Sequence, residues 1–133
     1  MNIYTKQKET IRIKVKIIYR EGYKIAFKLR KKEEFSYSSP QEMFQDNKNK
    51  KSMGLLDYQS AVLDSYMENM DKKDLAIELP TGSGKTLVGL LIGEYRRRKN
   101  NEKVLFLCPT NQLVHQVVEQ ANEKYGLNAV AFC

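Results

Sequence analysis

The spacing of apolar residues changes its period near residue 55. Between residues 11 and 30, Ile11, Ile13, Val15, Ile17 and Tyr19 alternate with Arg12, Lys14 and Lys16, and Ile25, Phe27 and Leu29 alternate with Lys24, Lys28 and Arg30. A period of two belongs to a half-buried strand, so this stretch predicts a β-hairpin. A three-residue loop, Glu21 to Tyr23, pairs Tyr19 with Ile25, Ile17 with Phe27 and Val15 with Leu29, which keeps the apolar residues on one face. Gly22 then stands near the loop position that needs a positive φ. In this register Lys16 faces Lys28 and Lys14 faces Arg30. Like charges directly opposite are unfavourable, so the side chains splay into water or an anion lies over them. A lone hairpin is marginal in water, and its apolar face must dock elsewhere on the protein. Residues 36–54, rich in Ser, Asn, Lys and Gln and containing Pro40, read as a linker, with Phe35, Tyr37, Met43 and Phe44 available to tether it.

From Leu55 onward helical and strand patterns alternate. Tyr58, Ala61, Val62, Tyr66 and Met70 mark one face of a helix near residues 57–70. Leu75 to Leu79 is a short apolar strand. Thr86 to about Lys99 is a helix apolar on nearly all sides, hence buried; its Gly89 and Gly93 read as ordinary helix packing. Lys103 to Cys108 is a second buried strand. Leu113, Val114, Val117, Val118 and Ala121 mark another helix, with Gly126 as its stop, and residues 127–133 begin a third strand. Such alternation predicts an α/β fold with parallel strands. The expected organisation is a basic hairpin element over residues 1–35, a linker over 36–54 and an α/β unit over 55–133.

Charge sharpens this division. Residues 1–54 hold 14 Lys and Arg against 6 Asp and Glu, a net +8, whereas residues 55–133 hold 9 against 10, a net −1. A basic front attracts polyanions, nucleic acid first among them, and Lys14, Lys16 and Lys28 are its candidate contacts. The mean hydropathy of −0.58 fits a soluble chain. The longest apolar stretch, Leu87 to Ile92, is far too short to span a bilayer, and Met1 to Thr10 lacks the apolar block of a secretory signal. Cys108 and Cys133 make neither a disulfide framework nor a zinc site. A cytoplasmic location is the expectation, with no membrane partner.

The chemistry is concentrated in Pro80-Thr81-Gly82-Ser83-Gly84-Lys85-Thr86. Gly82 and Gly84 let the backbone curl so that successive N–H groups converge on phosphate oxygens. The helix that follows aims its positive end at the same point. Lys85 would reach the β- and γ-phosphates, and the Thr86 hydroxyl would ligate Mg²⁺. The apolar strand before the loop and the helix after it are the context this motif requires. Leu79 stands where the full phosphate-loop motif begins with Gly.

Three blocks together resemble the superfamily-two helicases and translocases of the DEAD/DEAH-box-like group. Leu55-Leu56-Asp57-Tyr58-Gln59 is similar to the segment ahead of the phosphate loop whose Gln reads adenine. Glu78 to Thr86 is similar to motif I, where Leu in the first position is usual. Leu107 to Gln116 is similar to motif Ia, which touches the nucleic-acid backbone. The resemblance covers residues 55–133 and implies a partial RecA-like domain. It implies ATP and Mg²⁺ as cofactors, held by Gln59, Thr81, Gly82, Ser83, Gly84, Lys85 and Thr86, with Lys85 and Thr86 also serving catalysis. It implies contacts from Thr110 and Gln116 to DNA or RNA. Thr110 can equally cap its helix, and Gln59 can equally be a polar residue on an outer helix face. Asn111 stands where the DEAD-box subgroup carries Arg. The aromatic that stacks on adenine in that subgroup has no clear counterpart, Phe44 being merely near the right distance. His115, the only histidine, reads as an ordinary helix residue. Arg96-Arg97-Arg98-Lys99 reads as a cationic helix end favoured by the dipole.

Hydrolysis needs acidic groups to hold Mg²⁺ and to orient water. After Thr86 the acidic residues are Glu94, Glu102, Glu119 and Glu123, and none ends an apolar strand after Cys108. In the family these groups lie on a later strand, later strands fill the sheet beside the phosphate loop, and a second lobe supplies an arginine finger. The expectation is an ATP-binding front portion of a helicase or translocase, unable alone to hydrolyse ATP or unwind, with the remainder as a possible separate chain. Two other readings stand beside it: a non-enzymatic nucleic-acid or partner-binding module, and the motor portion of a restriction or antiviral helicase subunit.

Overall fold

The computed structural model describes residues 2–5, 11–14 and 34–132. Strands β1 (Asn2–Thr5) and β2 (Ile11–Lys14) pair antiparallel, with Asn2 opposite Lys14, Ile3 opposite Ile13, Tyr4 opposite Arg12 and Thr5 opposite Ile11. β2 coincides with the start of the predicted alternation, but the partner described for it is the N-terminal segment. Ile3, Tyr4 and Thr5 all favour strands; three such residues between polar neighbours are too few to display a period. The remainder of the predicted hairpin, including Lys16, Lys28 and the Glu21 to Tyr23 loop, lies outside the described residues.

Residues 34–132 carry four helices: α1 (Pro40–Gln45), α2 (Asp57–Glu68), α3 (Lys85–Asn100) and α4 (Asn111–Glu119), the last running into one π-helical turn over Gln120–Lys124. α3 is the hub, as its all-round apolar surface requires. It buries Leu87, Val88, Leu91, Ile92 and Tyr95, and both α1 and α2 pack on it. Met43 and Phe44 of α1, Leu63 and Tyr66 of α2, and Leu79 and Tyr125 complete the core. Each large apolar side chain so buried stabilises the fold by about 1.5–3 kcal/mol before entropy is counted.

The parallel sheet expected from residues 75–79, 103–108 and 127–133 is not formed: among the described residues the only strand pairing is that of β1 with β2. A strand exists through a partner's N–H and C=O groups, and the resemblance places other strands of the sheet between these segments. Their apolar residues are nonetheless used. Leu79 is buried, and Leu75, Ile77, Val104, Phe106 and Leu127 lie partly buried against the core. The segment after α3 approaches that helix closely at its two glycines. A Cβ at Gly89 would stand 3.0 Å from the Phe106 ring, and one at Gly93 would stand 3.0 Å from Val104. The spacing of four therefore seats the 104–106 segment, a closer role than general helix packing.

The polar stretch expected as a linker contains α1. Its start signals are local: Ser39 Oγ accepts the Glu42 N–H at 3.2 Å, Pro40 occupies the first turn, and the Glu42 carboxylate accepts from Ser38 N–H (2.7 Å) and Ser38 Oγ (2.6 Å). Those two bonds hold the Glu42 carboxyl below the usual carboxylate range. α1 then ties to α2 through Gln41 Nε2, which donates to Asp64 Oδ1 at 2.7 Å. Beyond α1, Asn47 Nδ2 donates to the carbonyls of Tyr125 and Gly126, and the N–H groups of Lys51 and Ser52 donate to the Lys124 carbonyl. The helix end is thereby clamped by residues 47–52. Gly126, the predicted stop, has φ +64°, and a Cβ there would stand 2.6 Å from the Asn49 carbonyl carbon. Gly126→Ala is expected to lower stability by about 2–3 kcal/mol, from the left-handed backbone and the backbone clash together, read as a lower urea midpoint.

The cationic cluster lies at the last turn of α3, and its side chains are engaged locally. Arg97 makes two 2.8 Å bonds to the Glu94 carboxylate, Arg96 pairs with Glu102 at 3.5 Å, and Arg98 lies over the Phe35 and Tyr37 rings. No helix among the described residues is long and apolar enough to cross a membrane.

Candidate functional site

The site is built where the 75–80 segment gives way to α3. Leu79 is buried in the core and anchors the chain before the loop. The carbonyl of Pro80 accepts both the N–H and the hydroxyl of Ser83, closing a tight turn in which Thr81 is exposed. Gly82 and Gly84 both take left-handed backbone, φ +78° and +74°. Lys85 and Thr86 form the first turn of α3, each half-buried. Gly84 is the N-cap and offers no side chain to the first-turn N–H groups, which leaves them for a ligand. N–H groups, an ammonium and a hydroxyl at the positive end of a sixteen-residue helix suit a polyphosphate with a divalent ion. Among the described residues no cluster of three or more His, Cys, Asp and Glu could hold a metal ion.

Gln59 is not on an outer face. It is 5% exposed, one turn before Leu63 on the buried side of α2. Its Oε1 accepts the Leu56 N–H at 3.0 Å and its Nε2 donates to the Ser83 carbonyl at 3.2 Å. The first bond caps α2; the second fastens α2 to the loop over residues 80–84. The amide retains one N–H and one oxygen lone pair. The buried face of α2 is therefore Gln59, Leu63 and Tyr66, rotated from the predicted one, with Tyr58 and Ala61 exposed. Tyr58 is a residue that sequence reasoning missed: its hydroxyl donates to the same Ser83 carbonyl at 2.9 Å. Its only sequence signal is its place beside Gln59. Phe44, 1% exposed and edge-on to Tyr125, is a core residue and cannot stack on a base.

Thr110 caps α4, its Oγ1 accepting the Leu113 N–H at 3.2 Å. Accepting leaves the hydroxyl proton free to donate. Gln116 is exposed on the same helix, as is His115. Burial raises the Cys108 thiol above its ordinary range, which keeps it protonated at neutral pH. Lys14 lies in β2, and Lys16 and Lys28 lie outside the described residues.

The loop at the head of a buried helix, fastened by a glutamine from the preceding helix, lies in the blocks whose sequence resembles superfamily-two helicases. Residues 52–131 match the family model described as "Type III restriction enzyme, res subunit", and the chain belongs to that family. It is also similar to an ATP-dependent RNA helicase, DBP7, of Candida glabrata, at 36% identity over 67 residues, covering 44% of this chain and 9% of that protein. The chain thus spans a small part of the length of this relative. No solved structure matches it.

Proposed function

We propose that this chain forms the Mg-ATP-binding part of a nucleic-acid helicase or translocase. The observation that carries the reading is the Gly82–Gly84 loop opening onto the uncapped N-terminus of α3. In this reading Thr81, Gly82, Ser83 and Gly84 cradle the phosphates, Lys85 neutralises their charge and Thr86 holds Mg²⁺. Bound Mg²⁺ would neutralise charge on the terminal phosphates. Gln59 reads adenine with its remaining N–H and lone pair. Thr110 and Gln116 contact the backbone of DNA or RNA, and Lys14, Lys16 and Lys28 add basic contacts. Glu94 and Glu102, the acidic residues nearest in sequence after the loop, are engaged with Arg97 and Arg96. In this reading the residues present bind Mg-ATP weakly and do not by themselves hydrolyse it. The setting is cytoplasmic. The family match favours a second, narrower reading, the motor portion of a restriction enzyme subunit.

Titration calorimetry of the chain with Mg-ATP tests this. Wild-type protein is expected to bind, and Lys85→Ala, folded equally well, is expected to weaken binding at least about tenfold, as removal of a charge-assisted contact implies. Equal affinities would sink the reading, and hydrolysis abolished by Lys85→Ala would overturn the inactivity. A pure binding module would instead show salt-sensitive association with nucleic acid that disappears on reversing Lys14, Lys16 and Lys28 while ignoring Lys85.

A further inference from the structure

We propose that Tyr58 is a positioning residue for the phosphate loop, holding the Ser83–Gly84 peptide so that its N–H faces the anion. This rests on the nucleotide-binding reading above and adds a residue and a division of labour to it. The Ser83 carbonyl receives two donors from α2, the Tyr58 hydroxyl at 2.9 Å and Gln59 Nε2 at 3.2 Å. Both lone pairs of that oxygen are thereby engaged. No peptide among the described residues is cis, and in a trans peptide the C=O and the following N–H point in opposite directions. Drawing the Ser83 carbonyl toward α2 turns the Gly84 N–H away from α2.

The peptide needs holding because Gly84 has no Cβ and turns easily. A flipped Ser83–Gly84 peptide would present a carbonyl oxygen to an anion, converting an attractive dipole into a repulsive one. A donor on the carbonyl also polarises the peptide and strengthens its N–H as a donor. Gln59 alone is a divided anchor, because its amide also caps α2 through the Leu56 N–H. Tyr58 is 42% exposed and outside the core, so its hydroxyl can be removed without disturbing packing. Its effect should fall on the polyphosphate and not on the base.

The test is Tyr58→Phe in the full chain, with two readouts. In the ligand-free protein, ¹H–¹⁵N spectra should show the Gly84 amide shifted while the dispersion of the core resonances, and so the fold, is retained. In titrations, affinity for Mg-ATP and for Mg-tripolyphosphate should fall together, on the order of fivefold for one lost neutral hydrogen bond. An unmoved Gly84 amide overturns the proposal. So does retained affinity, or a loss confined to Mg-ATP, which would mark a base contact. If wild-type protein binds neither ligand, the nucleotide reading fails, and the Gly84 amide alone decides whether Tyr58 holds the peptide.

Discussion

Gly84→Ala is expected to destabilise the chain by about 2–5 kcal/mol, whereas Gly82→Ala costs about 1–2 kcal/mol. Both glycines sit at nearly the same positive φ, so the backbone strain on adding a Cβ is common to the two. Their surroundings differ. A Cβ at Gly82 meets nothing within 4 Å, while one at Gly84 lands on the Nε2 of Gln59. That amide is 5% exposed and would be pushed from the Ser83 carbonyl with no water to replace it. An unsatisfied buried amide adds about 1–3 kcal/mol to the strain. Urea unfolding of the two variants, compared at equal slope, measures the difference. Equal losses would mean that Gln59 does not hold the loop. On the nucleotide-binding reading Gly84→Ala also weakens Mg-ATP binding, because the Ser83–Gly84 peptide loses one of its two anchors.

What could be read in the sequence follows from how local each signal is. α3 was legible almost to the residue, expected over Thr86 to about Lys99 and found over Lys85–Asn100, because an apolar run and a glycine start lie within the helix itself. The curl of the loop was legible for the same reason: Gly82 and Gly84, expected to bend the backbone, both take left-handed φ. α2 was placed correctly but turned on its axis, since hydropathy puts a glutamine outside and Gln59 is inside, its polarity satisfied by the Leu56 N–H and the Ser83 carbonyl. α1 was hidden by polar composition, although Ser39, Pro40 and Glu42 form a helix start and Met43 and Phe44 reach the core. For residues 75–79 and 103–108 the apolar pattern marked segments that lie against the core, but only Leu79 is fully buried and the pairing is absent among the described residues. Burial is a property of one segment, whereas a strand is a property of two. The second donor on Ser83 was invisible, since nothing in a tyrosine's position states where its hydroxyl goes.

Leu63→Ala is expected to cost about 2–5 kcal/mol, the range for deleting a fully buried leucine side chain. Leu63 is 0% exposed and lies one helical turn beyond Gln59 on the buried face of α2. It is part of what presses against α3 the helix that carries both donors to Ser83. A domain of this size has about 5–15 kcal/mol in hand, so the variant keeps its fold with a clearly lowered midpoint or unfolds partly at room temperature. The marginal case is informative, because a ligand that binds only the folded state returns stability by mass action. At ten times its dissociation constant Mg-ATP would restore about 1.4 kcal/mol, roughly 6–11 °C in midpoint for a domain of about 100 residues. The same nucleotide should raise the midpoint of a Leu63→Ala, Lys85→Ala double variant by less than about a third as much, since a site weakened at least about tenfold returns at most about 0.4 kcal/mol. A rise in the single variant that the double variant largely lacks would tie the α2–α3 core to an occupied phosphate loop through Lys85. The same rise in both would place the stabilising site elsewhere on the chain.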